Sequence, residues 1–421
     1  MIIKKDLSIY LLLFFIFFGT ILSIDIGFTL KISQVLAVSS LINLSLRFLK
    51  DDNDYNKFQI LDFFPFLIFI LAIIPSLGNP HFYSEFYEKI DPVKLFFNYL
   101  VLQLICFSIA FSLNTKEKLK KSLKYIFTGF LCVLSFGYIQ QFLYYFDSYE
   151  PSNYIGFHQL NVDYYGPFFR FSPATFANEF GEILQTILIF LSLFLYYFKN
   201  SVSLIKRNII LVSFIMSSFA LILNFTRISW IVLFLFFLWL FSFEKFKILN
   251  KILFFISISL LGLLIYYLLS ETNIALFISI LDRFSELSEF SNTSVGTRLE
   301  AWEITKNLFF ERPITGHGLG VASETHNVPL QLLAETGFQG LIGFYLLMFY
   351  LVHKFYKMIK KTSDIFLKFL SKSLFYSLIG CLIFDLTNHG IYHFILWLII
   401  GLGLATESVI KFNKESFELK S

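Results

Sequence analysis

Charge is scarce in this 421-residue sequence. Only 15% of residues are Asp, Glu, Lys or Arg, against a hydrophobic share of 56% and a mean hydropathy of +0.69. An ordinary soluble domain carries about 25% charged residues, so a water-soluble globular fold is excluded and a polytopic membrane protein is indicated. Cysteine is scarce as well. Cys106, Cys132 and Cys381 all fall inside apolar runs, with no Cys-x-x-Cys and no neighbouring His. That excludes a disulfide framework and a Cys/His zinc site. No polar stretch is long enough for a separate soluble domain, so residues 1–421 read as a single membrane domain. The net charge of +4 is modest and its carriers follow the loops between apolar runs, which gives no sign of a nucleic-acid partner.

What the sequence has in excess is apolar length. A spanning helix needs about 20 mostly apolar residues. Candidate spans lie near 7–25, 28–47, 59–78, 93–113, 122–145, 175–198, 206–224, 228–243, 250–270, 338–353, 365–385 and 390–408. The expected fold is an all-α polytopic membrane protein of about twelve transmembrane helices. Its 58 Phe read mainly as lipid-facing and packing residues. Met1–Lys5 followed by an apolar run mimics a signal peptide but lacks a small-x-small cleavage site, so it is read as the first span. With the N-terminus inside, 24 of the 34 Lys and Arg fall in inside segments and nine outside, Lys372 lying within a span. This satisfies the positive-inside rule at every turn. Both termini are therefore expected in the cytoplasm, and the longest outside segment is the loop 271–337 between spans nine and ten.

The outside face is the polar one. It holds Arg170, Arg227, Arg283, Arg298, Lys306 and Arg312, with His81, His158, His317, His326 and His389. Asp25, Glu179, Glu182 and Asp385 enter spans only at their outer ends. Ionisable groups at membrane depth are costly and usually face a cavity or a partner. Here they share one level, which indicates a site open to the outside rather than a path through the bilayer. Within the loop, Thr297-x-x-Glu300 has the spacing of a capping box, which predicts a helix beginning at Arg298. That would set Arg298 beside unpaired backbone N–H groups, a ready anion site. Leu299, Trp302, Leu308 and Phe309 give this helix an apolar flank. Pro313 and the glycines at 316, 318 and 320 predict a tight loop. Asn327 or Val328 is expected to cap a further helix with Pro329 in its first turn. Gly337 and Gly340 punctuate the passage into the next span.

Singly, each feature has a plain structural reading: a solvated Arg, a glycine turn, a capping or packing His, an interfacial anchor at Arg227, dipole-balancing glutamates at 179 and 182. Their order and spacing together resemble the O-antigen ligase/Wzy polymerase superfamily of bacterial envelope glycosyltransferases, a GT-C-like class with a large periplasmic loop late in the chain. The matching residues are Thr226-Arg227, Arg298 with Trp302, Pro313-x-x-Gly316-x-Gly318, His326-Asn327, and Glu335-x-Gly337-x-x-Gly340-Leu341. Arg170, in Phe-Arg-Phe-Ser-Pro, resembles a further family Arg. The resemblance implies an inner-membrane enzyme that moves a glycan from undecaprenyl pyrophosphate to a glycan or lipid A-core acceptor. It implies inverting transfer with no metal and no cofactor. Arg227, Arg298 and Arg170 would bind the pyrophosphate, and His326 would be the base. Trp302, Gly316, Gly318, Asn327 and Glu335 would support them. Guanidinium forks suit phosphate oxygens, and an imidazole suits a sugar hydroxyl proton.

His317 is the rival base. Glu85, Glu88 and Asp91 are the acidic residues that could make a divalent-metal site instead. Ligase and polymerase share the donor site, so these motifs do not separate them. Members that glycosylate proteins carry extra C-terminal sequence, whereas this sequence stops at Ser421, soon after its last span. A transporter or flippase of a polysaccharide precursor is the alternative. Against it stand the lack of an internal repeat and of Gly/Pro-broken spans with mid-membrane polar residues. The clustered outer arginines speak against a purely structural role.

Overall fold

The computed structural model describes residues 6–18, 23–25, 29–49, 60–78, 92–147, 171–173, 177–198, 200–243, 294–322, 325–388 and 390–418. They form a helical bundle, and the apolar runs of the sequence are its helices. These are α1 (Leu7–Phe15), α2 (Ile32–Leu49), α3 (Ile60–Ile73), α4 (Pro92–Ser112), α5 (Lys116–Asp147) and α6 (Ala177–Phe198). They continue with α7 (Leu204–Asn224), α8 (Arg227–Phe243), α9 (Ser294–Glu311), α10 (Val328–Lys361), α11 (Ile365–Phe384) and α12 (Phe394–Glu418). Between α1 and α2 a short antiparallel hairpin pairs Ser23–Asp25 (β1) with Thr29–Lys31 (β2).

Among the described residues, seven helices are long and apolar enough to cross a membrane: α4, α5, α6, α7, α10, α11 and α12. Shorter apolar helices run over Leu7–Phe18, Asp62–Leu77 and Arg227–Ser242. The span expected at 250–270 and the first part of the loop 271–337 lie outside the described residues.

The core sits where α12 packs on α4, α10 on α3, and α11 on α6 and α8. Small residues set these close approaches, as expected where lipid supplies no hydrophobic drive between helices. A Cβ on Gly401 would stand 2.7 Å from the Cys106 carbonyl oxygen of α4, and one on Gly343 3.0 Å from Ala72 Cβ of α3. α12 is the most buried of the seven and α7 the most exposed, with Ile205, Val212 and Ile215 on its open face. An apolar face of that kind suits lipid.

Ion pairs sort the helix ends into two levels. At one level Lys118 meets Asp6 (3.5 Å) and Lys116 meets Asp364. There too Lys354 bonds Asp62 and lies 2.8 Å from Glu407, which also holds Lys411 at 3.1 Å. These residues are all at helix ends that the charge bias assigns to the inside. From its kink at Gly337 α10 rises about 1.5 Å per residue, which puts Lys354 roughly 25 Å along the helix from that kink. At that far level lie the starts of α6, α8, α10 and α12 and the end of α11, and there the polar site forms.

Candidate functional site

The site is organised around the start of α10. Asn327 caps the helix: its Oδ1 accepts from Leu330 N–H (2.9 Å), as the Asn-Val-Pro sequence predicts. Its Nδ2 donates to the Leu386 carbonyl (2.9 Å), and Val328 N–H donates to the Asp385 carbonyl (2.9 Å). The segment is thereby strapped to the last turn of α11. On its other side, Trp302 Nε1 donates to the Thr325 carbonyl (2.8 Å), and Thr305 and Thr325 hydroxyls meet at 2.9 Å. Between the two straps sits His326, in the left-handed region at φ 49°. A non-glycine residue there is strained and persists only where its surroundings fix it. Trp302 and Asn327 are thus positioning residues for His326.

Arg298 reaches the same place. Its Nη1 donates to the Thr387 carbonyl at 3.4 Å. Burial, then the Arg298 charge and then His393, pull the His326 pKa down to about 4. The imidazole is therefore neutral across the physiological range. One expectation is corrected: α9 begins at Ser294, not Arg298. The i, i+3 spacing of a capping box equals one helical turn and also arises inside a helix, as at Thr297 and Glu300. Arg298 lies in the second turn, so the open backbone N–H groups of the helix start are not beside it, and its value to an anion rests on its guanidinium.

The glycine loop has a structural task. His317 N–H donates to the Ala334 carbonyl (2.8 Å) and Gly318 N–H to the Glu335 carbonyl (2.9 Å). These amides are spoken for and do not cradle a phosphate. Gly316 (φ 66°) lies so close to the Glu335 carbonyl that a Cβ would collide with it, and Gly337 (φ 67°) stands likewise against Ile314. Gly337 is the kink at which α10 turns from its short first segment into its long one. Glu335 is fully buried, 3.0 Å from Gln331 Nε2 and 3.2 Å from the Tyr392 hydroxyl, and accepts from the N–H groups of Gly320 and Ala322. The Pro-x-x-Gly-x-Gly and Glu-x-Gly motifs are therefore two sides of one contact. His317 belongs to it. It is 1% exposed, its Nε2 lies 2.8 Å from the Leu308 carbonyl, and burial foremost holds its pKa below the usual value. It reads as a tether between the loop and α9.

Arg227 is the first residue of α8, on the same level. The turn before it is fixed from both sides. Asn224 Nδ2 donates to the carbonyls of Phe171 and Ala177 (2.8 Å each), and Thr226 bonds Asn224. Gly181 of α6 makes room for this turn, since a Cβ there would lie 2.6 Å from Thr226 Cβ. Arg170 lies outside the described residues, as do Arg283, His81, His158, His389, Glu85, Glu88 and Asp91. Phe171, which follows Arg170, donates its N–H to the Leu223 carbonyl (3.0 Å) within the turn leading to Arg227.

The sequence reading missed His393, and it paired Glu182 with nothing. Glu182, fully buried one turn into α6, accepts from His393 Nδ1 just before α12. Burial opposes the charged ring, but Glu182, Glu179 and Asp385 prevail and hold its pKa at about 8. The signal was present in outline: both residues stand at outer ends of predicted spans, 211 positions apart.

A helical bundle with a histidine, an arginine and a buried His–Glu pair at one level offers groups that can bind an anion and accept or donate a proton. Residues 211–345 match the family model described as O-antigen ligase. The resemblance drawn from the motifs is borne out over that segment, which includes Arg227, Arg298 and His326. The chain is also 26% identical, over 349 residues, to a ComP-specific O-oligosaccharyltransferase of Acinetobacter baylyi (strain ATCC 33305 / BD413 / ADP1). That alignment covers 75% of this chain and 57% of the relative, so the chain spans little more than half the length of the curated protein it matches.

Proposed function

We propose that this protein is an inner-membrane glycosyltransferase that moves a glycan from undecaprenyl pyrophosphate to an acceptor hydroxyl at the periplasmic face. The observation that carries the reading is the junction of Arg298 with a neutral, doubly strapped His326 at one level of the bundle. In this reading twelve spans place 271–337 in the periplasm and both termini in the cytoplasm. Arg298 and Arg227, joined by Arg170, bind the donor pyrophosphate. His326 accepts the acceptor's hydroxyl proton as its oxygen attacks the anomeric carbon. The bond from that carbon to the phosphate oxygen breaks, and its electron pair leaves with the pyrophosphate. Inversion and independence of metal follow from the resemblance. The bound pyrophosphate offsets the Arg298 charge and so raises the basicity of His326 once the donor has arrived.

A second reading concerns only the acceptor. The relative's name specifies ComP, so an acceptor of the kind that name denotes stands beside the lipid-linked repeat unit and lipid A-core. The test is transfer by purified protein in nanodiscs, offered each acceptor in turn. His326→Ala should lose about 10²–10⁴-fold in rate. Arg227→Lys and Arg298→Lys keep charge but lose the fork, and should each weaken donor use by about 1.5–3 kcal/mol. Wild-type rates in both Lys variants, or in His326→Ala, would overturn the assignment.

A further inference from the structure

We propose that His393, backed by the buried carboxylate of Glu182, donates a hydrogen bond to the pyrophosphate as it leaves and so takes up its developing charge. The proposal rests on the function proposed above and adds a residue from outside the matched segment 211–345.

The geometry is that of an oriented imidazole. Glu182 has no solvent exposure, and a carboxylate so placed is costly unless paired. Its partner is a histidine rather than an Arg or Lys. Glu182 fixes the ring through Nδ1, and the ring packs on Phe384 with centroids 6.0 Å apart. Among the described residues Nε2 is the ring nitrogen left for a ligand, and 14% of the side chain stays accessible. His393 is close enough to His326 for its charge to lower the His326 pKa, as does that of Arg298.

The titratable groups that face His393 are Glu182 and Glu179 of α6 and Asp385 at the end of α11, with His326, neutral, before α10. Burial works against protonation and the three carboxylates for it, leaving the ring charged below about 8. His326 is shifted the opposite way, to about 4. Two titratable groups driven apart in one site divide the work of base and acid-like donor. In the transfer step the acceptor proton goes to His326, and the electron pair of the broken bond goes to the phosphate oxygen. His393 keeps its proton and shares it with that oxygen through Nε2–H. Glu182 holds the ring in register.

The experiment is the pH profile of kcat/KM between pH 5 and 9.5 for the full chain in nanodiscs. The wild type should lose activity as pH rises through about 8, where His393 gives up its proton. Glu182→Gln should move that alkaline midpoint down by at least one pH unit, a shift that a merely structural role would not produce. His393→Gln should lose about 10²–10³-fold, as removal of one preorganised donor does, and should lack the alkaline limb. Glu182→Gln with wild-type rate and midpoint would overturn the proposal. Should that variant fail to fold, binding of inorganic pyrophosphate to the wild type at pH 7 and pH 9 decides. Affinity should be about tenfold higher at pH 7, although pyrophosphate itself is less charged there, and equal or weaker binding at pH 7 overturns the proposal. An active His326→Ala marks failure of the underlying reading. A dead His326→Ala with unmoved profiles in Glu182→Gln and His393→Gln marks failure of this inference alone.

Discussion

His326 joins a strained backbone to a depressed pKa, and both come from its neighbours. Its folded pKa of about 4 is below the usual 6.5. The neutral base is therefore fully available above about pH 5 and is lost as pH falls through about 4. In the free enzyme the acidic limb of kcat/KM is expected near 4. Arg298→Ala removes the second-largest cause of the shift, so the limb should move up towards 6.5 while the rate falls. A limb that stays near 4 in that variant would show that burial alone sets it. His326, Arg298 and Asn327 were legible in the sequence because polar residues stand out in an apolar background. His393 was not: it lies just inside the span predicted at 390–408, where a lone imidazole looks interfacial. Only contact with Glu182 gives it meaning, and no pattern along the chain encodes a contact 211 residues away.

At the scale of elements, most of the described apolar runs gave helices near their expected bounds, but the first helix stops by Phe18 and the end of that run, Ser23–Asp25, is a strand; the run at 250–270 lies outside the described residues. Asn327 and Gly337 marked the cap and the kink of α10 where the residue types said they would. The start of α9 was misjudged because one turn of helix repeats the capping-box spacing. The partnership of the Pro313–Gly320 loop with Glu335–Gly337 was also illegible, since it is a matter of packing rather than period. That partnership yields a prediction. Gly337→Ala places a Cβ on the Ile314 carbonyl and demands a left-handed alanine. The backbone conformation alone costs about 1–3 kcal/mol, so the variant should show a lower Tm in detergent and poor recovery. Gly296→Ala is the control. Among the described residues nothing lies within 4 Å of a Cβ there, and the position is helical. It should match the wild type or gain up to about 1 kcal/mol. Equal Tm values for the two variants would contradict the loop–kink contact.

Across the whole molecule the two levels of charged residues divide stability from chemistry. Lys354 sits between Asp62 and Glu407, all three nearly buried. Lys354→Met would leave two carboxylates facing each other with only the more exposed Lys411 beside Glu407. Removing one partner of a buried pair costs about 3–5 kcal/mol, so Tm should fall while the pH profile of transfer in the surviving protein stays put. A shifted profile would mean that this cluster communicates with the site. The same two levels make the orientation testable. Leu299 on α9 is exposed at the site level, and Lys361, the last residue of α10, is exposed at the other. Cys106 and Cys381 are buried and Cys132 is exposed in the middle of an apolar helix, so a Cys132→Ser background leaves little native labelling. In that background Leu299→Cys should react with a membrane-impermeant thiol reagent added to intact spheroplasts. Lys361→Cys should react only after the membrane is opened, because the basic ends are held inside. The reverse pattern would put the arginines and His326 in the cytoplasm, away from any donor presented at the periplasmic face, and the proposed function would fall with the topology.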